Sequence, residues 1–418
     1  MRPLLTLMAL LTVTALPAQA EVVTVAAARV LEVETGMLLR DQVLTIDGGR
    51  ITGMAARRPG EAVTHDLGDV TLLPGLIDAH VHLIGGEGLR PDQALFESAP
   101  RAAISGVANA RKTLAAGFTT VRDLGSRDFA DVALRDAIAA GSVQGPRMLV
   151  ATSSLSSTGG HGDLNSIPGD IRVLRYSAVA DGSEEIRHKV RENVKYGADW
   201  IKILATGGTM SAGTDPNMAD YTEQELRAAV EAAREKNRDV AVHAHGTEGI
   251  KRAVRAGVRS VEHCSMLDEE AIRLIRERAA FVVPNPFTSQ YMVERGSAAG
   301  YTDYQLAKAK WVLGFKLESL RKAIKAGLQV AYGTDAGVQE HGLNGRQFAM
   351  FVDAGMSPLA AIQSATVVNA RMLRMEGKVG TLKPGAYADL VAVRGNPLEN
   401  VRSLEAPAWI MKEGRVFQ

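Results

Sequence analysis

The sequence predicts an α/β protein: a (β/α)8 TIM-like barrel with a small β-sandwich domain formed by both chain termini. Three observations carry that expectation. Eight short β-rich runs alternate with amphipathic helical stretches between residues 75 and 376, the period of a (β/α)8 barrel. Strand-and-turn segments stand at both ends. The 418 residues, 46% hydrophobic and 23% charged, can fill one large core and a second small one. A doubly wound open sheet is the competing arrangement for the central region.

Taken in order, residues 1–20, "MRPLLTLMALLTVTALPAQA", join an early positive charge at Arg2 to an apolar stretch and the small-residue ending Ala18-Gln19-Ala20. This is the plan of a secretory signal peptide removed before Glu21, so we expect an exported protein, periplasmic or secreted. A membrane anchor is the alternative, but the apolar stretch is short for a span. Loss of Arg2 leaves Lys+Arg equal to Asp+Glu at 47, and a mature chain without net charge has no bulk attraction for nucleic acid or anionic membrane. The single cysteine, Cys264, excludes an internal disulfide. Stability must come from the core.

Residues 21–74 contain "VVTVAAARVLEV" and "QVLTIDGGRITGMA", with a turn at Asp47-Gly48-Gly49. Residues 377–418 contain "VGTLKPGAYADLVAVRGNP" and "PAWIMKEGRVFQ", with turns at Lys383-Pro384-Gly385, Gly395-Asn396-Pro397 and Glu413-Gly414. Neither segment alone can bury a sheet face, so the two are expected to combine into one β domain. Residues 75–376 form the expected barrel. Its strands are "LIDAHVHL" (76–83), "FTTVRDLG" (118–125), "RMLVATS" (147–153), "WIKILAT" (200–206), "VAVHAHG" (240–246), "SVEHC" (260–264), "FVVPNPF" (281–287) and "QVAYGTDAG" (329–337). Helical stretches such as "EQELRAAVEAAREKN" and "GIKRAVRAG" lie between them.

The chemistry sits at the C-terminal ends of these runs, where barrel enzymes place reacting groups. Residues i and i+2 of a strand share a face, so His80 and His82 point into the lumen, preceded by Asp78 on the same face. Two hydrogen-bonded core histidines are the bland alternative, but the spacing favours metal ligation. Run four supplies Lys202, run five His243 and His245, run six His263 and run eight Asp335. A lysine among cationic neighbours is disfavoured as an ammonium. Neutral, it can add carbon dioxide to become a carbamate, a carboxylate able to bridge two ions. Spacing leaves open which of His243 and His245 is a ligand. Cys264 follows His263 and by alternation points away from it, as a buried core thiol.

His80-Val81-His82, Lys202, His243, His263 and Asp335, in that order along the chain, resemble the binuclear metal centre of the amidohydrolase superfamily. The resemblance covers essentially the whole mature chain, including "LPGLIDAHVHL" and "GTLKPGAYADLVAV". "GADWIKILATGG", "VAVHAHG", "SVEHC" and "GTDAGVQEHGLN" look most like the imidazolonepropionase-related branch, which holds Xaa-Pro and Xaa-Arg type dipeptidases and ochratoxinase-like amidases. The resemblance implies His80, His82 and Asp335 on one zinc ion, His243 and His263 on a second, and carbamylated Lys202 between them. It also implies His245 as a catalytic or substrate-contacting group.

Two ions about 3.5–4 Å apart can share a hydroxide and polarise a carbonyl, with Asp335 passing the proton to the leaving amine. Tyr221 and His161 are further catalytic candidates in the loops after runs four and three, although Tyr221 could simply precede a helix capped by "TEQE". His341, Phe287 and Tyr291 are candidate substrate contacts. The family often carries Glu-Leu where this chain has Arg346-Gln347, which puts the periphery of that loop in doubt.

The expected activity is hydrolysis of an amide or peptide bond in a small molecule with a free carboxylate. Cyclic amides, lactones and phosphotriesters are same-fold alternatives, and a non-catalytic binding protein is the alternative from another class. The expected assembly is a homo-oligomer without nucleic acid, and the mature chain carries no membrane span.

Overall fold

The computed structural model describes residues 22–86, 95–168, 170 and 178–417. The expected signal peptide lies outside the described residues. The chain begins with β1 (Val23–Glu32), β2 (Met37–Asp47), β3 (Arg50–Ala56), β4 (His65–Asp66) and β5 (Val70–Pro74). β1 and β2 pair antiparallel from Val23 opposite Ile46 to Glu32 opposite Met37. The hairpin into β3 closes at Gly48 and Gly49, whose φ angles of 55° and 75° are the left-handed pair of a type I′ turn. β5 then runs parallel to β1.

The central region holds β6 (Leu76–Val81), β7 (Phe118–Asp123), β8 (Arg147–Val150), β9 (Leu155–Ser156), β10 (Ala178–Val179), β11 (Trp200–Leu204), β12 (Asp239–Ala244), β13 (Ser260–His263), β14 (Phe281–Val283) and β15 (Gln329–Val330). All ladders among them are parallel, in a sheet β6-β7-β8 and a sheet β10-β9-β11-β12-β13-β14-β15. Backbone bonds run between the two sheets. Asp199 N donates to Val150 O (2.8 Å), and Ala79 N to Tyr332 O (2.9 Å). Asp335 N donates to His80 O (2.6 Å), and His82 N to Ala336 O (2.7 Å). β6, β7 and β11 are buried along their whole length, as parallel strands covered on both faces must be.

Each of the eight expected runs starts within one residue of an observed strand, but all eight strands end before the run does. The third breaks at Thr152 (φ 59°), and the eighth keeps only two ladder residues before its irregular path past β6.

Among the described residues eight longer helices follow the strands: α1 (Ala99–Ala115), α2 (Ala130–Ala139), α3 (Gly182–Lys195), α4 (Glu223–Arg234), α5 (Thr247–Ala256), α6 (Glu269–Arg278), α7 (Pro286–Arg295) and α8 (Asp303–Lys325). The start of α4 is fixed by a reciprocal capping box between Thr222 and Glu225, and its apolar face buries Leu226, Ala229, Val230 and Ala233. Among the described residues no helix is long and apolar enough to cross a membrane.

β16 (Leu390–Arg394), β17 (Trp409–Lys412) and β18 (Arg415–Val416) return to the first sheet. β16 pairs antiparallel with β5, Leu390 opposite Pro74, giving the order β18-β17-β16-β5-β1-β2-β3 with β4 beside β1. Val25, Val30, Leu44, Ile46, Leu72, Leu390 and Met411 fill its core. The chain is thus a mixed α/β protein in which both ends share one sheet.

Candidate metal centre

Two groups of potential ligands lie at the C-terminal ends of the parallel strands. His80, His82 and Asp335 bring one ligand atom each within 4.8 Å of one another, and His243, His245 and His263 do the same. The Asp335 carboxylate lies 3.4 Å from His80 Nε2 and 3.3 Å from His82 Nε2. The His80 and His263 rings are 5.2 Å apart, so the groups adjoin. Lys202 stands beside them with Nζ 3.4 Å from His80 Nε2. Burial lowers its ammonium pKa to about 8.

The donor set fits divalent cations. Burial lowers His80 to about 4 and holds His243, His245 and His263 well below the usual imidazole value, so all four present neutral nitrogen at pH 7. His263 Nδ1 is buried with no hydrogen-bond partner among the described residues. Burial alone would raise Asp335, but His80, His82 and Lys316 hold it below the carboxylate range. It is an anion facing imidazoles.

Local backbone geometry explains how neighbouring residues serve one site. His263 and Cys264 adopt φ of 67° and 46°, and Asn285 and Asp335 adopt 30° and 64°. Such left-handed conformations cost about 1–3 kcal/mol each and collect at functional sites. The twist at His263 breaks strand alternation, so Glu262 and His263 both contribute to the site while Cys264 joins the apolar core.

Glu262, Asn285 and Lys316 were not anticipated from the sequence. Glu262 Oε2 accepts from His80 Nδ1 (3.0 Å), while its Oε1 accepts from Arg122 Nη2 (2.8 Å) and Ser260 Oγ (2.6 Å). Burial opposes the Glu262 anion, but Arg122 and His80 lower its pKa to about 2. A carboxylate on the far nitrogen of a ligand imidazole fixes its orientation and raises its basicity. The available signal was a lone glutamate inside a strand, where only a paired charge is tolerated.

The two groups and Lys202 line one cavity of about 350 Å³, with His161, Met210, Val338, Lys316, Glu97 and Arg127 in its walls. His161 packs 4.5 Å from the His243 ring and holds Ser211 Oγ through Nδ1 (2.8 Å). His245 Nδ1 meets Ser265 Oγ (2.7 Å), and His243 Nε2 meets Gly207 O (3.2 Å).

Other expected contacts are placed elsewhere. Tyr221 is buried ahead of α4 and its hydroxyl donates to Ala180 O (2.9 Å), so it does not line the cavity. His341 lies behind His82, one ring nitrogen on His82 O and the other on Thr113 Oγ1, both at 3.1 Å. Phe287 and Tyr291 sit one layer back, in an apolar cluster that supports Met210 and Val338. Asp78 accepts from Thr334 N (3.0 Å), Thr334 Oγ1 (2.6 Å) and Asn344 Nδ2 (2.8 Å), which makes it a tie between β6 and the loop after β15.

The profile of the Amidohydrolase family matches residues 71–416. The chain belongs to the amidohydrolase family. It is 33% identical over 369 residues to the ochratoxinase of Aspergillus niger, covering 83% of this chain and 75% of that protein. Among solved structures, it superposes on a Xaa-Pro dipeptidase with methionine bound in the active site at a TM-score of 0.90 and 35% identity, covering 95% and 100% of the two chains. A prolidase complexed with N-methylphosphonate-L-proline gives 0.88 and 32%, with the same coverage. As an amidohydrolase, this chain is a hydrolase of carbon–nitrogen bonds.

Proposed function

We propose that this amidohydrolase is a binuclear zinc enzyme that cleaves the amide or peptide bond of a dipeptide or N-acyl amino acid with a free carboxylate. The observation that carries the reading is the pair of ligand groups on one cavity floor with buried Lys202 beside them. We assign His80, His82 and Asp335 to one ion, His243 and His263 to the other, and a carbamate on Lys202 as the bridge. The neighbouring Xaa-Pro dipeptidase, prolidase and ochratoxinase support this substrate class. So does a cavity at the small end of the range for ligand pockets. In this reading residues 75–376 form a (β/α)8 barrel, residues 21–74 and 377–418 a β-sandwich domain, and the chain is exported as a homo-oligomer.

Bound there, a pair of divalent ions would acidify water and polarise the scissile carbonyl. The protein supplies the rest. Asp335, anionic at neutral pH, accepts the proton of the attacking water on its carboxylate and delivers it to the leaving nitrogen. His161 and His245, whose Nδ1 atoms are engaged by Ser211 and Ser265, line the cavity and have their Nε2 atoms left to serve the substrate oxygen.

Elemental analysis of active protein should find two divalent ions per chain. Lys202→Ala should lose most activity, with partial rescue by added short carboxylic acids. Full activity and both ions in that variant would remove the carbamate from the reading.

A further inference from the structure

Helix α8 carries three lysines whose ammonium groups bond backbone carbonyls, and they are not equivalent. Lys308 Nζ has three oxygen neighbours, Gly208 O at 3.2 Å, Ser211 O at 2.8 Å and Thr214 Oγ1 at 3.4 Å. Lys322 Nζ meets Leu267 O at 3.2 Å and the Glu318 carboxylate at 2.7 Å. Lys316 is 2% exposed and lines the cavity, yet its Nζ donates only to Asn285 O, at 3.0 Å. An ammonium has three donors. Two of them have no acceptor among the described residues, and no carboxylate lies within ion-pair distance.

A buried cation with no carboxylate in contact is unfavourable in a protein interior, and the Asp335 charge reaches Lys316 only from beyond ion-pair distance. Of the other basic residues in the cavity, Arg127 has the Glu97 carboxylate at 3.2 Å and Lys202 lies beside His80. The Asp335 carboxylate is already engaged by His80 and His82. Holding Asn285 O needs only a neutral donor, so that contact does not account for the charge. It does aim the side chain, and Asn285 Nδ2 also lies 3.2 Å from His80 Nδ1, which ties Lys316 to the ligand shell. Its charge reaches Asp335 as well as His245 and His263, so it faces both ligand groups.

We propose that Lys316 is the anchor for the free carboxylate of the substrate, its two unused N–H donors completing their hydrogen bonds on the carboxylate oxygens. This rests on the amide-hydrolase reading above and names the residue that makes the enzyme selective for acids over amides.

The test crosses two changes. Leucyl-phenylalanine and N-acetyl-phenylalanine are compared with their C-terminal carboxamides in the wild type, Lys316→Gln and Lys316→Arg. The wild type should prefer the acids. Lys316→Gln should lower kcat/KM for the acids about 30-fold or more, mainly through KM, the scale of a lost charge-assisted hydrogen bond. It should lower kcat/KM for the carboxamides much less, so that the acid-to-amide ratio falls about tenfold or more, and Lys316→Arg should recover part of that ratio. Equal losses on acid and amide, or retained selectivity, would overturn the proposal.

Calorimetric binding of L-phenylalanine and L-phenylalaninamide to the wild type reads the same subsite without any variant, and equal affinities would also overturn it. If the wild type cleaves none of these bonds, it is the amide-hydrolase reading that falls, and the same binding comparison repeated with Lys316→Gln still decides Lys316: an acid preference that survives the substitution overturns the proposal.

Discussion

Glu262 shows how much one residue can set in a metal-binding shell. Its two oxygens are divided between a fully buried guanidinium and the far nitrogen of His80, so it neutralises one group and orients the other. Glu262→Gln keeps the shape but leaves Arg122, also fully buried and stacked 4.5 Å from the Trp200 ring, without its anion. Breaking a buried pair from one side costs about 3–5 kcal/mol, and loss of an outer-shell carboxylate weakens metal binding about 10–100-fold. Denaturant melts and competition against a chelator should show both effects. Unchanged metal affinity would mean that His80 is oriented by Asn285 alone.

At the scale of elements, the path after β15 threads between β6 and β14. A Cβ on Gly333 would lie 2.8 Å from His80 Cβ and 2.5 Å from Val283 Cγ1, both in the body of packed strands. Gly333→Ala should therefore cost about 1–3 kcal/mol, as overpacking does, and displace His80 enough to lower metal content. A thermal melt with elemental analysis checks both. Such close passages also explain what the sequence revealed. The strand starts were legible because Val, Ile and alternating apolar residues mark them, and the structure brings His80, His82, Lys202, His243, His263 and Asp335 together. The strand ends were not legible, because residues such as His263 and Asp335 leave the extended region there. Lys316 was invisible because its role depends on which face of a 23-residue helix meets the cavity. The setting of Tyr221 was not legible either, because proximity in sequence to the site says nothing of where a hydroxyl finds its acceptor, here Ala180 O.

For the whole molecule, buried ionisable groups set the response to acid. His80 and His161 are lowered to about 4 and His341 to about 3 by burial, and burial also holds His243, His245 and His263 well below the usual imidazole value. Between these values and about 6.5 the unfolded chain binds protons that the folded chain refuses, so this contribution is present above 6.5 and lost as pH falls. Asp78 and Asp123, raised to about 6, and Asp131, raised to about 7, act in the opposite direction and offset only part of it. The chelated protein should thus lose melting temperature steadily from pH 6.5 to 4. A flat profile would mean that these imidazoles are solvated once the metals leave.

The shared sheet has a consequence for synthesis. β5 lies between β1 and β16, so one of its edges stays open until residues 390–394 have been made. At ribosomal speeds that wait is on the order of half a minute. During it the nascent chain displays an unpaired strand bearing Leu72 and Leu73, and a chain cut short by a nonsense codon displays it permanently. Truncated products should therefore be captured by chaperones and proteases, not accumulate as partly active enzyme.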